Sequence, residues 1–446
     1  MAAKAVALPQ PFTVTHRHVF AIAGPAMLAN VTTPLLGVVA TAAIGRLGDS
    51  AVLGGVAMAA LVFDCIFWLF GFLRMGTVAL TAQAFGAGDA TERSAVLARA
   101  LMLSAAIGLA LIALQVPLAT LIFGSMGGSD TVRSAAEHYF FIRLWSAPFA
   151  LGNYVMLGWL VGLARPMLAL SIQIVINVIN MALTVGLVLV LDWSITGAAL
   201  AAVVAEAAGL ALGLTMAWRV LDGRFDFGNA SLFDRTKLLR MLAINRDIMI
   251  RTAALVAAYL FFTAQGARAG DVVLAANAVL HNFTLVGAFF LDGLANAAEQ
   301  LCGRAYGARD RIAFGRAVKL IVLWGFVFGA GASALFMLFG SPFIDLMTAN
   351  PDVRREAHHY LWLAALAPVC GVMAFVFDGV YIGATWVRDM RNLMVASFLV
   401  YLAVWWATLP LGNAGLWIAI LSFFIARGVL QAARYPALAK RPFVEN

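Results

Sequence analysis

The sequence predicts an all-α integral membrane protein: twelve transmembrane helices in two six-helix lobes, related by a pseudo-twofold axis along the membrane normal. Three observations lead there. Of 446 residues, 63% are hydrophobic and only 12% are charged, more apolar surface than a water-soluble domain hides. Apolar stretches recur from end to end, each matching the roughly 20 residues a helix needs to cross a bilayer. Residues of the second half echo those of the first at a nearly constant offset. The stretches are apolar all round and do not alternate, so they are helices and not barrel strands.

In chain order the spans lie at about 19–44, 52–82, 95–122, 138–162, 167–191 and 196–218, then 248–266, 272–300, 317–340, 358–384, 393–411 and 414–433. The first 18 residues are polar and lack a small-residue cleavage site, so the first span is expected to act as a signal anchor. Pro25 and Pro34 interrupt that span. Each lacks an N–H and frees a carbonyl four residues back, at Ala21 and Asn30, which makes the pair a candidate hinge and Asn30 a candidate cavity residue. No charge precedes Arg46 in the run PLLGVVATAAIGRLG. The second span carries Asp64, the fourth Arg143, the fifth Asn177 and Asn180, and the sixth Glu206. A polar interruption, Asp222 to Arg246, follows. It divides the chain into an N-lobe (1–221), a cytoplasmic linker (222–247) and a C-lobe (248–446). In the C-lobe the seventh span carries Arg251, the eighth Asp292 and Glu299, and the tenth Asp378, with His358 and His359 at an outer edge.

The repeat supports the two lobes. Arg46-Leu47-Gly48-Asp49 returns as Arg268-Ala269-Gly270-Asp271, and Ala21-Ile22 as Ala243-Ile244, both at an offset of 222. Phe85-Gly86-Ala87-Gly88-Asp89 returns as Tyr306-Gly307-Ala308-Arg309-Asp310, and Gly158 and Gly162 as Gly379 and Gly383, at 221. Six spans is an even number, so both halves start on the same side and the repeat is parallel. Two such lobes suit a secondary transporter that alternates between inward-open and outward-open states. No GxxxxGK[ST] loop is present to drive it with nucleotide, so an ion gradient, protons or sodium, is the expected source. Neither HExxH nor GxSxG occurs, which argues against a membrane hydrolase.

The net charge of +8 is a topology signal and not a nucleic-acid signal. With the N-terminus inside, the outer loops hold only Arg46, Arg133, Arg268, Arg354 and Arg355. Arg74, Arg143 and Arg251 fall in or at the ends of spans, and the other Lys and Arg are assigned to inner segments. This is the positive-inside pattern, with both termini cytoplasmic, and it suits an anionic inner leaflet. The expected setting is the bacterial inner membrane, crossed many times by a monomer that handles a small-molecule substrate. Cys65, Cys302 and Cys370 are far apart in sequence and have no metal-ligand spacing; they read as buried small apolar residues, with no cofactor or metal implied.

Ionisable groups inside spans are expensive and are functional candidates by default. Asp64 and Asp378 have no cation within one helical turn in sequence and are read as functional. Glu206, Asp292 and Glu299 stand open between coupling roles and ion pairs with Arg74, Arg143 and Arg251. Asn177 and Asn180, three apart on one helical face, suit a cavity lining or a helix–helix contact.

The stretches GPAMLANVTTPLLG (24–37), WLFGFLRMGTVALTAQAFGAGD (68–89), NVINMAL (177–183), NRDIMIRT (245–252), LDGLANAAEQLCGRAYGARD (291–310) and FVFDGVYIGAT (375–385) resemble the multidrug and toxic compound extrusion (MATE) family, in its DinF branch. The resemblance covers nearly the whole chain. It implies a MATE-like fold of two six-helix lobes and export of organic cations or other toxic compounds, driven by entering protons or sodium. It also implies polar site residues at Asn180 and Asp378. The branch pattern GxxDTAxxGxLG reads Gly37-Val38-Val39-Ala40-Thr41-Ala42 here, so Ala40 stands where an acid belongs. A second acid of the family, at the end of NxxNxxLD, is Thr184. Asp64 offers a replacement: at 1.5 Å per residue it lies roughly 18 Å deep against roughly 6 Å for Ala40, level with Asn177 and Asn180. A buried carboxylate there suits proton pick-up and release. Two other functions fit the same architecture: a lipid or polyprenyl-linked flippase, and a transport-inactive scaffold.

Overall fold

The computed structural model describes residues 13–45, 50–126, 129–223 and 232–440, with the side chains at 31–38, 40–41, 45, 50–51 and 125 excepted. The outer loop from Arg46 to Asp49, the side chains of Pro34 and Ala40, and the linker between 224 and 231 therefore lie outside the described residues. The chain is helical, with no strand among the described residues.

The helices are α1 His16–Gly45, α2 Ser50–Leu69, α3 Phe72–Gly86, α4 Ala90–Ala113, α5 Gln115–Ser125, α6 Asp130–Arg143, α7 Ala147–Gly162, α8 Pro166–Val185 and α9 Ser194–Val220. They continue as α10 Arg235–Arg268, α11 Asp271–Gly307, α12 Arg311–Met347, α13 Pro351–Gly383, α14 Val387–Ala407 and α15 Asn413–Lys440. Among the described residues, 11 helical stretches are long and apolar enough to cross a membrane. The 30-residue α1 adds the first span. Each span expected from the sequence has its helix. α2 and α3 together form the second, and α6 with α7 the fourth. α1 runs as one helix through Pro25 and Pro34. α10, α11, α12 and α13 are 33 to 37 residues long, about 50 Å or more at 1.5 Å per residue against a core of about 30 Å. The extra turns come from polar sequence: residues 235–247, taken from sequence as linker, are the first turns of α10. Asp234 caps that helix, its Oδ1 accepting from the Thr236 N–H at 2.8 Å. The fifth span closes with a π-helical turn, Gly186–Val190.

By contacts the described residues form two compact units. One comprises residues 28–81 and 89–242; the other comprises the described part of 1–27, residues 82–88 and residues 243 onward. In the first, Val56, Phe63, Phe123, Tyr139, Phe140 and Val188 form an apolar core, with the Phe63 and Phe140 rings 5.3 Å apart. In the second, α13 packs on α11, α12 and α15, over a core that holds Phe262, Leu280, Phe283, Tyr401 and Trp417. α1 joins this unit because its Met27 packs against Gly293 and its His16 accepts from Trp324 Nε1 at 2.9 Å.

The geometry of the repeat is close inside each unit. A Cβ at Gly158 would meet the Arg74 carbonyl and Thr77; one at Gly379 would meet the Ala295 carbonyl and Ala298. Both partners follow at an offset of 221. The helix that holds each glycine pair ends in the same left-handed turn, with φ 57° at Ala164 and 56° at Thr385. The Ala164 N–H donates to the Val161 carbonyl and the Thr385 N–H to the Ile382 carbonyl, both at 2.9 Å. The next helix of each half is capped alike. Asp89 Oδ1 accepts from the Glu92 N–H and Asp310 Oδ1 from the Ala313 N–H, each at 2.8 Å. Two repeat-related segments also touch each other. A Cβ at Gly86 would strike the Arg304 carbonyl, and one at Gly307 the Gln83 carbonyl. Gly86 and Gly307 are equivalents, and so are Gln83 and Arg304, so the contact is reciprocal.

Candidate functional site

Each unit holds one cluster of charge inside its spans. In the first unit the cluster forms where α2, α6, α7 and α9 meet. Arg143, at the end of α6, donates from Nη1 to Tyr139 Oη at 2.6 Å, and its guanidinium lies 4.9 Å from the Phe63 ring. It lies within electrostatic range of both Glu206 and Asp64. Glu206 accepts at Oε2 from Asn153 Nδ2 at 2.7 Å, and its carbonyl accepts from the same amide at 2.9 Å. Tyr154 senses all four charges, Glu206, Arg74, Asp64 and Arg143. The expectation that Asp64 stands away from any cation is therefore corrected: the nearest guanidinium comes from another helix, where sequence neighbours do not reveal it. Asp64 itself is exposed.

α8 turns one polar face inward. Gln173 Nε2 donates to Asn177 Oδ1 at 3.2 Å, and Thr184 Oγ1 donates to Asn180 Oδ1 at 3.1 Å. Asn177 and Asn180 are buried, and Asn177 Nδ2 has no hydrogen-bond partner. Thr184, in the place of the family acid, thus serves as a donor to Asn180. Asn30 is half-buried in α1.

The second unit gathers more charge. Asp378 on α13 accepts at Oδ2 from Arg251 on α10 in a close ion pair, and from Arg427 Nη2 on α15 at 2.6 Å. Its Oδ1 accepts from Gln431 Nε2 at 2.7 Å. Tyr381 Oη donates to the Gln431 carbonyl at 2.8 Å. The guanidinium of Arg427 sits 5.3 Å from the Phe423 ring and 5.8 Å from that of Phe375. Arg251 lies in electrostatic range of Asp292 and Glu299, and Arg427 of Asp292. Tyr259 senses Arg251, Arg427 and Asp292. Asp378, Arg251, Arg427 and Gln431 are all buried.

Asp378, read from sequence as an acid without a nearby cation, is thus held by two guanidiniums and an amide. A carboxylate so held is an anchor between three helices. The sequence reading missed Arg427 and Gln431. Arg427 had been assigned to an inner segment by the charge count, but it is 1% exposed within α15. The repeat carried the missing signal: Arg427 stands 221 residues after Glu206, so one position in the two halves holds opposite charges. At the edge of this unit, buried Asp247 accepts from Arg391 Nη1 at 2.7 Å and pairs with Arg246 at 3.0 Å. The three cysteines are free thiols; Cys302 is buried and Cys370 half-buried, but Cys65, expected to be buried, is exposed.

Comparison with known proteins agrees with this architecture. The family profile described as MatE matches residues 25–185 and 248–406. DNA damage-inducible protein F of Escherichia coli (strain K12) is 37% identical over 429 residues, 94% of this chain and 92% of that protein. The probable multidrug resistance protein NorM of Caulobacter vibrioides is 26% identical over 92% of this chain and 89% of its own length. The crystal structure of a MATE in the bent conformation superposes with a TM-score of 0.87 at 20% identity, over 96% of this chain and 97% of that one. An outward-facing multidrug resistance MATE transporter gives 0.85 at 20% identity, covering 95% and 96%. The chain is a multi-pass membrane protein and belongs to the MatE family of transporters.

Proposed function

We propose that the protein exports small organic compounds, cationic or amphipathic, by alternating access in exchange for protons or sodium. It would act as a monomer in the bacterial inner membrane with both termini cytoplasmic. The observation that carries this is the presence of acids and guanidiniums clustered inside the spans of both units, where a fixed charge is costly and an exchangeable one is useful. A cationic substrate and a driving ion can compete for one carboxylate, which is the simplest antiport logic. The relatives named as multidrug resistance proteins support the substrate class.

The test is uptake of a fluorescent lipophilic cation into inside-out vesicles or proteoliposomes under an imposed proton or sodium gradient. Gradient-dependent accumulation above protein-free vesicles is expected. No accumulation under either gradient overturns the proposal; movement of a labelled lipid between leaflets in its place would make the protein a flippase, and no movement of either would leave a scaffold.

A further inference from the structure

We infer that Asp292 is the acid at which the driving cation and the cationic substrate are exchanged. This deepens the export proposal and rests on it. Four features of the second unit point there.

The first is the charge count. Among the described residues of this unit, the middles of the spans carry three carboxylates, Asp292, Glu299 and Asp378, against two guanidiniums, Arg251 and Arg427. With all five ionised, one negative charge is in excess. The corresponding count in the first unit is balanced, with Asp64 and Glu206 against Arg74 and Arg143. A net charge in a membrane interior is costly, and one proton or one monovalent cation cancels it. The second is access. Asp378 is 4% exposed and Glu299 2%, whereas Asp292 is exposed. A substrate reaches Asp292 without opening the helix packing. The third is communication. Arg251 and Arg427, which hold Asp378, both lie in electrostatic range of Asp292. A change in charge at Asp292 is therefore felt on α10, α13 and α15 together. The fourth is unused bonding capacity. Arg427 Nη1 and Gln431 Oε1 are buried without partners, each on a residue 1% exposed. The cluster thus holds a donor and an acceptor for a second arrangement of its charges.

The groups around Asp292 are few. α10 brings Arg251 and Tyr259, α13 Asp378, α15 Arg427, and α11 itself Glu299 and His281, whose ring lies 5.5 Å from that of Tyr259. α1 between Val19 and Gly45 and α12 between Leu320 and Ile344 bring no ionisable side chain. In the cycle, Asp292 releases its proton or sodium to the inside and the freed carboxylate pairs with the substrate cation. On the outside a proton or sodium displaces that cation. One monovalent charge enters for each that leaves.

The experiment measures binding of tetraphenylphosphonium to the purified full-length protein between pH 5.5 and 8, with and without sodium, together with gradient-driven transport in proteoliposomes. In the native protein affinity should fall by about tenfold per pH unit where one proton is displaced per cation, or fall with added sodium if sodium is the driving ion. Asp292→Asn should bind with an affinity that no longer responds to either ion and should lose gradient-driven transport, and Asp292→Glu should restore both. Asp64→Asn should keep the ion response. Ion-sensitive binding in a folded Asp292→Asn protein overturns the inference and leaves the export proposal standing, as does an ion response lost in Asp64→Asn and kept in Asp292→Asn. A native protein that moves no cation under either gradient overturns both.

Discussion

Replacing Asp378 by Asn keeps the size of the side chain and removes its charge. Two buried guanidiniums, 1% and 7% exposed, would then face each other without the carboxylate that both use. One amide oxygen would remain for three donors, and the new NH2 would point at one of them. Removing one partner from a buried ion pair costs about 3–5 kcal/mol. For a unit of this size, at about 2–4 °C per kcal/mol, the melting midpoint should fall by roughly 10 °C. The measurement is thermal unfolding in detergent, followed by tryptophan fluorescence or by the size-exclusion peak after heating. The double variant Asp378→Asn, Arg251→Gln removes one stranded cation and should recover a part of the loss, with a coupling energy of about 1–3 kcal/mol in the mutant cycle. A single variant that melts with the native protein, or a double variant no better than the sum of its parts, would refute the assignment of Asp378 as an anchor.

Asp64→Asn should cost less than about 1 kcal/mol in the same assay, because Asp64 is exposed and makes only a long-range pairing with Arg143. Gly86→Val and Gly307→Val should each destabilise by about 1–3 kcal/mol or more through overpacking, since a Cβ at either would strike a backbone carbonyl. Gly315→Ala, with nothing within 4 Å of a new Cβ, should stabilise by up to about 1 kcal/mol through helix propensity. Asp222→Cys in a background without native cysteines should resist membrane-impermeant thiol reagents in whole cells, and ready labelling would overturn the inside placement of the linker.

The spans were legible because crossing a bilayer demands an uninterrupted apolar run, and α4, α9 and α12 supply it without ambiguity. Their true lengths were not: in α10 to α13 polar turns continue the helix past the membrane, and nothing in an apolar count marks where such a helix stops. The fate of Asp378 was illegible for another reason. Its partners lie 127 and 49 positions away in the chain, so only the packing of α10 and α15 on α13 brings them together. Arg427 is the instructive miss. Flanked by SFFIA and GVLQA, it looks like a span residue, yet a count that favours basic residues inside absorbs it without notice. The Asn177 and Asn180 face was read correctly as one face of a helix; that Thr184 completes it by donating to Asn180 needed side-chain positions.

The reciprocal contact at Gly86 and Gly307 has a consequence for how such a chain arose. Two copies of a single six-helix protein, turned about a twofold axis, would make this contact identically from both sides. In such a homodimer any side chain placed at one site is imposed on its mate: a carboxylate there means two carboxylates. Joining the copies end to end lifts that restriction. The pair Glu206 and Arg427, acid in one half and base in the other, is an arrangement that only the fused gene can encode.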